Sequence, residues 1–113
     1  MEKLDWIKQF PAAITVCDCQ GVILDMNDKA AQSFEADGGY AMIGRNLLDY
    51  HPEPARSKAK RLLEACEKHI YTIEKDGVKK LIYQSPWFKD GHYEGFVELA
   101  LDIPFEIEHS VRS

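Results

Sequence analysis

The feature that most constrains the fold is the last third of the chain, where two Asp-Gly turns separate three segments of strand-forming residues. The turn Lys75-Asp76-Gly77 joins His69–Glu74 to Val78–Phe88, and the turn Lys89-Asp90-Gly91-His92 leads into Gly95–Ile103. Asp-Gly between such segments is a strong hairpin signal, because both turn positions of a tight hairpin need a positive φ. The pattern predicts three consecutive antiparallel strands.

The first third predicts a short helix followed by another hairpin. Leu4, Ile7 and Phe10 recur at helical spacing in residues 1–11, which we expect to form an amphipathic helix that ends at proline. Ala12–Cys17 and Val22–Leu24 are short apolar segments on either side of a turn that ends in glycine. Their spacing predicts two antiparallel strands.

Between these two parts the chain predicts short helices. Asn27 or Asp28 is a suitable N-cap for one helix, and Tyr40–Ile43 predicts another. A third begins near Pro54, with one apolar face formed by Ala55, Ala59, Leu62, Leu63 and Cys66. The order of two strands, several helices and three strands predicts an α+β fold with a five-stranded antiparallel sheet and short helices on one face. We expect a domain over residues 12–104, ended by Pro104, and a tail over residues 105–113.

Composition narrows the classes of function. A chain of 113 residues indicates one domain, and a net charge of −5 disfavours nucleic acid and anionic membranes as partners. No apolar segment is long enough to cross a membrane, and the charged N-terminus is not typical of a signal peptide. The 3 cysteines lack the spacing of a disulfide framework, which favours a reducing cytoplasm.

Catalytic and metal-binding motifs are missing from the sequence. It contains no Gly-x-Ser-x-Gly, no glycine-rich phosphate loop and no His-Glu-x-x-His. The 4 histidines and 3 cysteines do not share the spacing of metal ligands on any predicted element. We therefore expect no enzymatic activity and no metal site.

Several short motifs, in order along the chain, resemble those of a PAS domain. The resemblance covers about Phe10 to Pro104, and its specificity comes from the order and spacing of the motifs. They are Asp18-x-x-Gly21, Asn27-x-x-Ala30, Ile43-Gly44-Arg45-Asn46-Leu47-Leu48, Ser85-Pro86, Asp90-Gly91, Gly95-Phe96-Val97 and Leu101-Asp102-Ile103-Pro104.

The resemblance implies a sensory or signalling module of the type common in bacterial signalling, with a ligand pocket between the sheet and the helices. The expected ligand-binding residues are Ile14, Val16, Met26, Phe34, Ile43, Leu47, His51, Leu62, Leu63, Ile82, Phe96 and Glu98. Expected partners are a small-molecule ligand, a signalling protein and a second copy of the chain bound through the N-terminal helix and the sheet. The alternative is a dimerisation module with a fully packed core and no ligand.

Two cofactor classes known in PAS domains are disfavoured, and the cofactor stays unknown. Light-sensing relatives with flavin carry a cysteine directly after Gly-Arg-Asn, where this chain has Leu47. In oxygen-sensing relatives with heme, the axial histidine follows a segment similar to residues 52–58, and the matching residue here is Ala59. Neither covalent flavin photochemistry nor histidine-ligated heme is expected.

Glu98 is the least predictable of the expected pocket residues. In Gly95–Leu101, alternation places Val97, Leu99 and Leu101 on one face of the strand and Glu98 on the other, which taken alone sends Glu98 to solvent. The PAS resemblance implies instead that the face shared by Glu98 and Ala100 points to the ligand. Both orientations stay open from the sequence.

Overall fold

The computed structural model describes residues 5–113, and Met1–Leu4 lie outside the described part. It has a short helix α1 (Asp5–Lys8), strands β1 (Ala13–Asp18) and β2 (Ile23–Met26), and helix α2 (Asp28–Ser33). Single 3₁₀ turns follow at Glu35–Asp37, Gly39–Met42 and Leu47–Tyr50, before helix α3 (Ala55–Ala65). Strands β3 (His69–Lys75), β4 (Val78–Lys89) and β5 (His92–Ile103) complete the chain.

The strands form one five-stranded antiparallel sheet in the order β2-β1-β5-β4-β3. The last strand therefore lies between β1 and β4, which joins the N-terminal hairpin to the C-terminal meander. Asp76 and Asp90, in the two predicted hairpin turns, both have positive φ, as the Asp-Gly pattern requires. The predicted α+β class and sheet are confirmed.

Two small hydrophobic clusters lie between the helical segments and the sheet. The first joins Ile23 and Met26 of β2 to Ala30 and Ala31 of α2 and to Met42. The second is formed by Cys17, Leu63 and Phe96, with Leu48, Leu62 and Tyr93 packed against it. Because the helical segments are short, they bury the sheet in two separate places and leave room between the clusters.

Asn27 fastens the N-terminal segment to the domain. Its Oδ1 caps α2 by accepting from the backbone N–H of Ala30 at 3.1 Å, and it also accepts from Ile14 at 2.9 Å. Its Nδ2 donates to the carbonyls of Ala12 at 2.7 Å and Ile7 at 3.0 Å. The part of the predicted N-terminal helix that the structure describes is thus only α1, and Leu4 of the predicted apolar stripe lies outside the described residues.

The two faces of the sheet differ in what covers them. The inner face, toward the helices, carries Thr15 and Cys17 of β1 beneath α3 and the Leu47–Tyr50 turn. On the opposite, outer face, the strand register places Ile14, Leu99, Tyr83 and Ile70 side by side across β1, β5, β4 and β3. These four outer-face residues are only partly buried or exposed in the single chain.

Candidate functional site

A cavity of about 80 Å³ lies between the two hydrophobic clusters and is open on one side. Its floor is the inner face of β1, β5 and β4, and its roof is formed by α3 and the Leu47–Tyr50 turn. Most of the wall is aliphatic or aromatic. The lining residues are Thr15, Cys17, Phe34, Leu47, Leu48, His51, Ala59, Leu62, Leu63, Gln84, Phe96, Val97 and Glu98.

The roof is positioned by side-chain hydrogen bonds to the backbone. Asn46 Oδ1 accepts from the N–H of Leu48 at 2.9 Å and so begins the Leu47–Tyr50 turn, while its Nδ2 donates to the carbonyl of Gln20 at 2.9 Å. Arg56 at the start of α3 donates to the carbonyls of Leu48 and His51, each at 3.1 Å. These bonds hold Leu47 and His51 over the sheet.

The floor of the cavity contains a polar row that crosses the sheet. Thr15, Glu98, Gln84 and His69 are direct register partners on β1, β5, β4 and β3. Gln84 Nε2 donates to Glu98 Oε2 at 2.7 Å, and Gln84 Oε1 lies 3.1 Å from His69 Nδ1. Because the amide of Gln84 donates to Glu98, its oxygen accepts, which assigns the donor proton to Nδ1 of His69. One continuous hydrogen-bonded chain thus runs from the cavity to the edge strand.

Two polar groups of the row are left available to a ligand. Among residues 5–113, Glu98 Oε1 and the hydroxyl of Thr15 have no hydrogen-bond partner, although Thr15 is only 6% exposed. Every fully buried side-chain oxygen or nitrogen in this part of the chain has a hydrogen-bond partner. Because Glu98 Oε1 and the Thr15 hydroxyl have none, both atoms must be accessible to solvent. Both residues line the cavity. The free hydrogen-bonding capacity of the floor is therefore directed to the cavity.

The charges around the cavity are negative or neutral. No lysine or arginine is part of the described lining, and Glu98 is its one carboxylate. Burial raises the pKa of Cys17, which keeps its side chain a neutral thiol. Burial also raises the pKa of Tyr71 on the neighbouring β3, and the negative charge of Glu98 raises it further.

Seven of the twelve expected ligand-binding residues line the cavity: Phe34, Leu47, His51, Leu62, Leu63, Phe96 and Glu98. Glu98 lines the cavity because it shares the inner face of β5 with Phe96. The outer face of the sheet also carries apolar residues, so apolar character does not distinguish the two faces. Alternation within one strand defines two faces and does not say which of them the helices cover.

Five expected residues lie elsewhere. Ile14 and Val16 alternate with Thr15 and Cys17 on β1 and so occupy the outer face. Met26 is buried in the first hydrophobic cluster, and Ile43 is 40% exposed at the end of the Gly39–Met42 turn. Ile82 is buried on the inner face but borders a second, open groove further along the sheet.

Six lining residues were not among the expected set: Thr15, Cys17, Leu48, Ala59, Gln84 and Val97. Gln84 offered a usable signal, since it is a polar residue in the middle of the longest predicted strand. Thr15 offered none, because a threonine in a strand is common whichever face it occupies.

The residues of this cavity do not fit covalent flavin photochemistry or histidine-ligated heme. Leu47 and Ala59, the positions of the reactive cysteine and the axial histidine in such relatives, both line the wall and supply neither a thiol nor a metal ligand. The volume of about 80 Å³ is also well below the roughly 300–1,000 Å³ typical of cofactor sites. Within the described residues there is no cluster of three or more potential metal ligands, and no helix there is long and apolar enough to span a membrane.

Comparison with known structures gives PAS domains and sensor proteins. The PAS domain of histidine kinase ThkA is 27% identical with a TM-score of 0.64, covering 80% of this chain and 98% of that one. A sensory box sensor histidine kinase from Vibrio cholerae is 18% identical with a TM-score of 0.62, covering 89% of each chain. A C-terminal domain from Streptococcus mutans is 20% identical with a TM-score of 0.71, covering 85% of this chain and 78% of that one.

Comparison with curated protein sequences gives no significant match. The model of the family described as PAS fold, however, matches residues 7–103, which include the whole sheet and every residue of the cavity. The sequence motifs, the sheet order and the family match agree. The chain belongs to the PAS-fold family.

Proposed function

We propose that this chain is a sensory domain that binds a small ligand in the cavity and passes the signal through the sheet, with no catalytic activity of its own. PAS domains are typical of sensory and signalling modules and are generally not catalytic, and two similar structures come from histidine kinases. The observation that carries the proposal is the hydrogen-bonded chain from Glu98 in the cavity to His69 on the edge strand β3.

The row supplies a physical route for the signal. A ligand that bonds to the free oxygen of Glu98 shares the carboxylate with the amide of Gln84, and its binding can reorient both groups. A turn of that amide changes the bond to His69, because the oxygen and the nitrogen of one amide move together. The free edge of the sheet at β3 therefore has two hydrogen-bonded arrangements that ligand binding shifts.

Filling the cavity tests the ligand-binding part of the proposal. Leu47→Trp places a large indole ring in the wall of the cavity. Leu24→Trp is the control, because it makes the same change on β2, where Leu24 is 47% exposed. We expect a bound small molecule, seen in the native mass spectrum or supplied from a metabolite library, to be lost from Leu47→Trp and kept by Leu24→Trp. Equal ligand binding by both variants contradicts the placement of the site.

The alternative function is dimerisation without a ligand, and it is favoured by the outer face. Ile14, Leu99 and Tyr83 form an apolar row that is only partly buried in the single chain. A second copy seated there explains these residues. In this case light scattering gives a dimer that Ile14→Lys converts to a monomer, whereas Ile73→Lys, on the inner face of β3, has no effect.

A signalling protein is the other partner we propose, since the cavity and the outer face belong to different surfaces of the sheet. We also infer a cytoplasmic location, supported by the free thiols of Cys17, Cys19 and Cys66.

A further inference from the structure

The polar end of the cavity has a chemistry that selects among ligands. Glu98 Oε1 is a free acceptor on an ionisable group, and the Thr15 hydroxyl beside it, on the paired strand, both accepts and donates. The Gln84 amide is already engaged by Glu98 and His69. The floor thus offers a surplus of acceptors and one negative charge.

The rest of the wall favours a cationic ligand over an anionic one. The aromatic rings of Phe34 and Phe96 attract cations rather than anions. No lysine or arginine is part of the described lining, so a carboxylate or phosphate group would lie next to Glu98 without a permanent positive charge to balance it, and burying it there is costly.

Size limits the body of the ligand. The cavity of about 80 Å³ is about half of the roughly 150 Å³ cavity that accommodates benzene in another protein. It therefore holds a body of about three to five non-hydrogen atoms. The walls around that body, from Leu47, Leu62 and Leu63, are aliphatic.

From these observations we infer that the cavity takes a small aliphatic amine, whose protonated amino group donates to Glu98 and Thr15 while its hydrocarbon part contacts the leucines. An ammonium group has three donors and no acceptor, which complements this floor. The inference rests on the proposed function, because it names the ligand class of the same cavity. An ammonium group bound at Oε1 shares the Glu98 carboxylate with Gln84, whose amide donates to Oε2, and so acts on the hydrogen-bonded row.

The test uses three probes of nearly equal shape and different charge: isobutylamine, isobutanol and isobutyrate. Each is titrated through the millimolar range at neutral pH, since ligands of this size bind weakly. The readout is the methyl NMR signals of Leu47, Leu62 and Leu63. We expect saturable shifts with the amine, weaker ones with the alcohol and none with the acid.

Variants separate charge from shape. Glu98→Gln keeps the size and the acceptor for Gln84, and we expect it to weaken isobutylamine by about 10-fold or more, as for the loss of one charge-assisted bond. Thr15→Val is expected to weaken it by a smaller factor. Glu74→Gln removes the same charge from an exposed position on β3 and is expected to leave binding unchanged.

The outcomes distinguish failure of the amine proposal from failure of the sensory proposal. Equal binding of isobutanol and isobutylamine, unaffected by Glu98→Gln, refutes the amine and leaves the cavity as a ligand site. Preferential binding of isobutyrate refutes it in the same way. If none of the probes moves the cavity methyl signals, the cavity is closed to small molecules and the proposed sensory function fails with it.

Discussion

Asn27 offers the sharpest stability test, because a single side chain makes bonds to three separate segments. It is 2% exposed, and it bonds to the backbone of Ile14, Ala30, Ala12 and Ile7. Asn27→Ala removes the N-cap of α2, worth about 1 kcal/mol. It also leaves the Ile14 N–H and the Ala12 carbonyl without partners, at about 1–3 kcal/mol each.

Some of these groups will gain water once the N-terminal segment moves, so we expect a net loss of about 3–4 kcal/mol. That is a large part of the roughly 5–15 kcal/mol that stabilises a domain of this size. It corresponds to a fall in Tm of about 10–15 °C. Urea denaturation followed by circular dichroism measures the free energy of unfolding directly.

Asn27→Asp separates the cap from the anchor. Aspartate is as good an N-cap as asparagine, so a role in capping alone predicts no loss. The second carboxylate oxygen, however, takes the place of Nδ2, 2.7 Å from the carbonyl oxygen of Ala12, and can only repel it. We expect Asn27→Asp to lose most of what Asn27→Ala loses.

Asn46→Asp is the matched control for that comparison. Asn46 also caps a turn with Oδ1, but its Nδ2 bond to Gln20 is exposed to water, which replaces the lost bond. A stability of Asn27→Asp within about 0.5 kcal/mol of the wild type, the range of neutral surface changes, refutes the anchoring role.

Three further predictions follow from single contacts. Gly95→Ala should cost about 2–4 kcal/mol in urea denaturation, because a Cβ there would clash with the carbonyl oxygen of Cys17. Gly91→Ala, with open space around it, should cost only about 1 kcal/mol, and similar costs for the two variants contradict the clash. The hydrogen bond from Lys80 lowers the pKa of Asp102, so this pair stabilises the fold above the unfolded-state pKa of Asp102, and the stabilisation is lost as pH falls through the lower folded-state pKa. The difference in Tm between wild type and Asp102→Asn should therefore vanish in acid, and a difference that stays constant with pH excludes an ionic cause. Burial makes Cys17 a poorly reactive thiol, so mass spectrometry should find it alkylated by iodoacetamide far more slowly in the folded than in the unfolded chain, and equal rates contradict its place in the core.

The sheet was predictable from local signals, and the cavity only in part. The Asp-Gly turns fix the pairing of β3 with β4 and of β4 with β5, because turn residues and strand periodicity act over a few residues. The pairing of β1 with β5 joins distant parts of the chain and has no such local signal. The covered face of a strand is decided instead by the elements that pack on it from elsewhere in the chain. Ile14 and Val16 are more apolar than Thr15 and Cys17, yet the latter pair faces the cavity.

Helix α3 also shows that periodicity along the sequence predicts only part of a contact. Its apolar stripe predicted a buried face, and Ala59, Leu62 and Leu63 do line the cavity. Ala55 belongs to the same stripe but is exposed at the first position of α3. Periodicity gives the direction of a helix face and not the length of its contact.

The position of the polar row beside the cavity determines how easily its hydrogen bonds rearrange. A hydrogen-bonded chain across an inner face is costly to break in a closed core, because each separated partner stays buried. Here the cavity adjoins Glu98, so a ligand or water can take the place of Gln84 at the carboxylate without leaving it unpaired. The opening of the cavity beside Glu98 therefore makes the rearrangement of Gln84 and His69 inexpensive. A fully packed core would hold the row in one arrangement, and the edge strand β3 would then have no internal group through which to respond.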